Sequence, residues 1–136
     1  MKLYQSATSP FARKVIVLLK ETGQEGDVEL VSSAGTPLNS DNMPTAHNPL
    51  GKIPALERAD GPALFDSRVI CQFLDDRAGG KLYPAVPRRW DCLTLEAMAD
   101  GIVDAAILMV YEARIRPEEI RMDAWVNGQW SKVTRA

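Results

Sequence analysis

The sequence predicts an α/β unit followed by a helical region, and three features carry that reading. Short strand-like stretches at Lys2–Gln5 and Asp27–Val31 flank a helical period that opens at Pro10, the pattern of a right-handed parallel βαβ crossover. A second pair of short strands, separated by the turn signal Asp60-Gly61, leads into another helical period at Ser67. Beyond residue 88 the chain reads as helix alone.

Lys2 to Gln5 suit a short buried strand, and Ser6, Ala7 and Thr8 are turn material. Pro10 fits the first helical position, where its missing N–H costs nothing, so Ser9 becomes the N-cap. Phe11, Val15, Leu18 and Leu19 then follow at i, i+4, i+7 and i+8, one apolar face, and Gly23 suits the residue just past the helix end. Three hydroxyls (Ser6, Thr8, Ser9) thus gather at a helix N-terminus, where anions are stabilised. On this stretch alone, a plain helix cap is a sufficient account of Ser9.

Residues 32–51 are dominated by Ser, Gly, Thr, Pro, Asn and Asp and keep no apolar period. At most one helical turn fits, around Asn42 to Ala46, and irregular segments of this length belong to the functional or mobile class. Pro54 stands where a strand must begin, a position that tolerates proline; a cis Ile53–Pro54 bond is one explanation. Ala63-Leu-Phe65 is read as the returning strand, closed by Asp66-Ser67, which also opens a helix with Val69, Ile70, Phe73 and Leu74 on its apolar face. Gly79-Gly80 end it. The pattern is βαβ-loop-ββα over residues 1–80, with 81–87 as linker and 88–136 as the start of an all-helical domain.

Trp90 to about Arg114 has no proline and is apolar on most sides between Ile102 and Tyr111, so it has to be covered by other helices or a partner chain. Pro117-Glu-Glu suits the first turn of a further helix. Two helices are too few to cover such a surface, so the helical domain is expected to be incomplete, or its face to meet another subunit. Cys71 and the three tryptophans Trp90, Trp125 and Trp130 are read as packing residues.

Composition narrows the function classes. Sixteen Lys and Arg against eighteen Asp and Glu leave a net charge of −2 without any basic run, which argues against nucleic acid or an anionic membrane as partner. No stretch has the pattern of a signal sequence or a membrane span. One histidine rules out a histidine-rich metal site, and two cysteines outside any CxxC pair make no disulfide framework. A cytoplasmic protein without a metal is the expectation.

Three motifs together resemble the cytosolic glutathione S-transferase family, in its bacterial form with serine or cysteine in the active site. They are Thr8-Ser9-Pro10-Phe11-Ala12-Arg13-Lys14, Asn48-Pro49-Leu50-Gly51-Lys52-Ile53-Pro54, and Phe65-Asp66-Ser67 at a helix start; Ala97 to Ala105 is similar to the first helix of the family's C-terminal domain. The resemblance implies a thioredoxin-like glutathione-binding domain, an all-helical second domain and a homodimer. It also implies glutathione as co-substrate and a small electrophile as second substrate.

Chemistry assigns roles that agree with the resemblance. A free thiol has a pKa of about 8.5, and a hydroxyl donor at a helix N-terminus lowers it toward neutrality. Ser9 offers both, with Thr8 or Ser6 as substitutes. The backbone of Ile53, beside Pro54, can pair with the cysteinyl backbone as an added strand. Ser67 at its helix start faces the γ-glutamyl carboxylate and Asp66 the amine. Lys52 and His47 either meet the glycyl carboxylate or stay in solvent. Asp100 either reaches a ligand across a dimer or joins a helix-surface salt bridge; Phe11 borders the same site. Two other activities fit the same scaffold: a glutathione-dependent peroxidase or disulfide reductase, and a non-catalytic interaction protein.

Overall fold

The computed structural model describes Met1–Ala136, and the chain divides into two units, Met1–Pro84 and Ala85–Ala136. In the first, strand β1 (Lys2–Gln5) leads through a turn to helix α1 (Pro10–Glu21), and β2 (Glu29–Ser32) follows. After a long loop come β3 (Ala55–Glu57) and helix α2 (Ser67–Arg77). The sheet order is β2-β1-β3, with β1 parallel to β2 and antiparallel to β3.

Apolar spacing explains the core. Val15, Leu18 and Leu19 of α1 and Ile70, Cys71 and Leu74 of α2 meet Leu3 and Leu56 of the sheet, all buried. Leu3 and Leu56 are register partners, so one face of the sheet carries both helices while Lys2, Tyr4 and Glu57 fall on the other. Cys71 is thus a core residue, 1% exposed.

Two polar clasps close the unit away from its helix starts. Buried Gln24 donates to the Leu74 carbonyl at 2.8 Å and accepts from Arg77, which also pairs with Asp27 at 2.7 Å. Asp75, fully buried, accepts the backbone N–H groups of Lys81, Leu82 and Tyr83 at 3.0, 2.9 and 2.9 Å. Its carboxylate therefore ties the chain after Gly79-Gly80 back onto α2.

Some elements differ from the sequence reading. Ala63–Phe65 forms no strand; only Leu64 pairs, with Leu56. Pro62 has no N–H to offer, and its carbonyl is taken by the Arg58 guanidinium at 2.9 Å. The second strand starts two residues late because Glu25–Asp27 form a 3-10 turn, whose Asp27 carbonyl accepts from the terminal ammonium of Met1. Around Asn42–Ala46 there are successive turns and no helix.

The second unit pairs α3 (Arg88–Arg114) with α4 (Asp123–Arg135). Pro117 opens only a 3-10 turn, Glu118–Ile120, and the expected helix is delayed to Asp123. The Glu112 carboxylate accounts for the delay: it accepts Met122 N–H at 2.9 Å and the Arg116 guanidinium at 2.7 Å. Those two hydrogen bonds, Arg116 first, hold its carboxyl below the ordinary glutamate range. Trp90 and Trp130 are 62% and 55% exposed, against the expectation that they pack, while Trp125 is half-buried. No helix is long and apolar enough to cross a membrane.

Candidate functional site

The register of the sheet brings distant segments to one end. Tyr4, near the C-terminal end of β1, pairs with Ala55, the first residue of β3. The turn that delivers Ser9 and the Ile53–Pro54 peptide therefore emerge side by side. Leu64 pairs with Leu56 antiparallel, so the chain arrives at Asp66 and Ser67 at that same end. Both α1 and α2 start there, and Lys14 of α1 acts electrostatically on Asp66.

Ser9 is the N-cap of α1, with extended backbone and Pro10 next. Its Oγ accepts from Ala12 N–H at 3.2 Å, and its own N–H donates to the Ser6 carbonyl at 3.0 Å. The helix thus uses the oxygen of Ser9 and leaves the hydroxyl proton free to donate outward. Ser6 and Thr8 bind each other instead, Oγ to Oγ1 at 3.0 Å, so neither takes the cap position. Phe11 is half-buried in the first turn.

The middle segment has a cis Ile53–Pro54 bond; the Phe65–Asp66 and Val86–Pro87 bonds are cis as well. Pro54 is buried, Ile53 half-buried and the Lys52 side chain exposed. Asn48, 2% exposed, opens the second motif but had been given no role of its own. Its Oδ1 accepts Leu50 N–H at 3.1 Å and its Nδ2 donates to the Lys52 carbonyl at 2.8 Å. An Asx-turn before Pro-Leu-Gly was the available signal, and Gly51, at φ +58°, supplies the left-handed residue the turn needs.

At the third segment Asp66 caps α2, Oδ1 accepting Arg68 N–H and Oδ2 the Arg68 guanidinium, each at 3.0 Å. Ser67 is 2% exposed at the first helical position. Burial pushes the Asp66 carboxyl up, but both Arg68 hydrogen bonds and the charges of Arg68 and Lys14 outweigh it and hold the group below 3.8. A depressed native value stabilises the fold above the unfolded pKa, and the contribution disappears as pH falls from 3.8 through the native value. Urea titrations across that acid window are expected to show a flatter loss of stability in Asp66→Asn than in the parent.

His47 meets partners that the sequence reading did not name. Its Nε2 lies 2.9 Å from the Tyr4 hydroxyl and 3.6 Å from the Glu57 carboxylate, and its ring stacks on Tyr4 with centroids 4.6 Å apart. The Tyr4 hydrogen bond holds the Glu57 carboxyl low and, in return, raises the Tyr4 phenol. Tyr4 and Glu57 were missed because each reads as an ordinary strand residue. Asp100 lies on α3 in the second unit and is 7% exposed.

Comparison with known proteins places these observations. Residues 8–77 match the N-terminal domain of glutathione S-transferases. A glutathione transferase family member from Pseudomonas fluorescens Pf-5, solved with bound glutathione, is 45% identical at a TM-score of 0.94, over 98% of this chain and 66% of that one. A glutathione S-transferase from Methylobacillus flagellatus KT, also with glutathione bound, is 41% identical at a TM-score of 0.86, over 98% of this chain and 65% of that one. The GST-like protein YibF of Escherichia coli K12 is 35% identical over the whole of this chain and 66% of its own length. The chain thus spans about two thirds of these relatives, and its first unit has their thioredoxin-like arrangement.

Proposed function

Because the chain belongs to the glutathione S-transferase family through its N-terminal domain, we propose that it binds glutathione at the common start of α1 and α2 and readies the thiol for attack on a small electrophile. The observation that carries this reading is the convergence of Ser9, Ile53 and Ser67 at one end of the sheet. Glutathione bound to the Pseudomonas and Methylobacillus relatives supports it.

Each part of the tripeptide has a matching group. The Ser9 proton, unclaimed by the helix, donates to the sulfur, and the N-terminus of α1 favours the negative charge that remains when the thiol proton leaves for solvent. The thiolate then forms the new C–S bond as the electrophile's leaving group departs. Ile53 offers backbone N–H and C=O to the cysteinyl residue, in the manner of an added strand. Ser67 and the first amides of α2 receive the γ-glutamyl carboxylate, while the Asp66 carboxylate, ionised at neutral pH, receives the amine. Lys52 remains available to the glycyl carboxylate. Phe11, Ser6 and Thr8 border the sulfur position. In this reading the working protein is a cytoplasmic homodimer, and Asp100 of α3 belongs to the dimer's contribution to the ligand.

Glutathione at millimolar concentration is expected to raise the unfolding temperature of the protein, because a ligand that binds only the native state stabilises it by mass action. Differential scanning fluorimetry with glutathione, and with alanine-substituted tripeptide lacking the thiol as a comparison, reads the effect. No shift with glutathione removes the proposal.

A further inference from the structure

We propose that Tyr4, His47 and Glu57 act together as a positioning device that sets the Lys52–Ile53 peptide through Asn48. The inference rests on the reading above, in which the Ile53 backbone holds the tripeptide. It gives His47 a role through the loop in place of direct contact with a carboxylate.

The connection can be followed atom by atom. Tyr4 projects from the sheet face opposite the core, and Glu57 is its diagonal neighbour across the β1–β3 pair. A phenol has one proton, and Tyr4 donates it to Glu57 Oε2 at 2.8 Å. The 2.9 Å contact with His47 must then be filled from the other side, with Nε2–H donating into the phenol oxygen. That count fixes the direction of the contact and puts a proton on Nε2. Stacking of the two rings, 25° from parallel, adds a second restraint, and Lys2 approaches the far oxygen of Glu57 at 4.0 Å. His47 is therefore held by the sheet in position and orientation.

Asn48 follows directly in the chain and is buried. Its backbone N–H donates to the Pro44 carbonyl and its own carbonyl accepts from Gly51 N–H. Its side chain spans Leu50 N–H and the Lys52 carbonyl. That carbonyl belongs to the peptide that joins Lys52 to Ile53. Hydrogen bonds thus run from the rigid sheet through His47 and Asn48 to the peptide that has to present Ile53, and no step depends on ligand.

Amide exchange in the ligand-free protein, combined with glutathione affinity by calorimetry, tests this on Tyr4→Phe, His47→Ala and the double variant. Tyr4→Phe keeps the ring and removes only the hydroxyl. The amides of Asn48, Leu50 and Gly51 are expected to exchange about tenfold faster in each single variant, the scale of one lost hydrogen bond. Those of α1 and α2 should keep parental rates. Affinity for glutathione is expected to fall about tenfold in each single variant and no further in the double, as for residues in one network. His47→Gln, which retains an N–H donor, should restore most of both. Unchanged exchange in the loop overturns the proposal, as does faster exchange spread over the whole unit. An affinity loss confined to His47→Ala also overturns it, by making His47 a direct ligand contact. Should the parent protein fail to bind glutathione, the function reading falls, while the exchange data still decide whether the device exists.

Discussion

Replacing Ser9 with alanine is expected to slow conjugation of glutathione by about two orders of magnitude, the scale of removing one donor from a site of developing charge. The expectation follows from how the hydroxyl is shared: its oxygen serves Ala12 N–H, and that contact does not use the hydroxyl's own proton. Alanine takes away both. Thiolate absorbance of the bound tripeptide should then titrate near the free value of about 8.5, where the parent titrates closer to neutrality. Loss of the cap should also destabilise the protein by about 1 kcal/mol, too little to unfold it. Ser9→Thr, which keeps a hydroxyl and a cap, should retain much of the rate. A Ser9→Ala protein with parental turnover and parental thiol titration would show that the cap was the whole role of Ser9.

Asp75 carries the largest expected effect on stability. Three backbone N–H groups converge on its carboxylate inside the unit, and alanine leaves all three without an acceptor. The expected loss is about 3 kcal/mol, because unsatisfied donors cost more than the hydrogen bonds had contributed. Asp75→Asn keeps one accepting oxygen and should lose about half as much. The midpoint of urea unfolding, at unchanged slope, reads the difference. A shift equivalent to less than about 0.5 kcal/mol for the alanine variant, the range of an ordinary surface change, would mean that water replaces the carboxylate at no cost.

Local rules explain how much of this was legible beforehand. The Ser9-Pro10 helix start, the βαβ crossover and the glycine-marked helix ends follow from spacing and from residues with one steric meaning, and the structure has all of them. Ala63–Phe65 was misread because alternation cannot show that the Arg58 side chain would take the carbonyl a strand partner needs. The start of α4 was misread for a related reason: Glu112, ten residues earlier, decides where its first amides go. Tyr4 and Glu57 escaped notice since their partners lie on elements that only the fold brings near, whereas the Asn48 side chain bonds within its own loop, to Leu50 and Lys52. His47 was singled out as a lone histidine in an irregular loop, but sequence could not say whether it faced a ligand, solvent or a tyrosine.

The connection between β2 and β3 has one more consequence. Both strands flank β1 and meet the connection at the same end, so a chain passing from one to the other has only about 10 Å to cross, two strand spacings. About three extended residues reach that far, yet residues 33–54 are used. The surplus chain is thus not required for closure of the sheet. It forms an internally bonded loop at the strand ends, anchored within itself by Ser33 to Asn42 and by Asn48 to Lys52 and tied to the sheet by His47 to Tyr4. Sheet and loop can accordingly change length independently: additions between Ala34 and Asp41 leave these anchors in place, whereas a deletion that removes Asn48 spares the sheet and dismantles the loop.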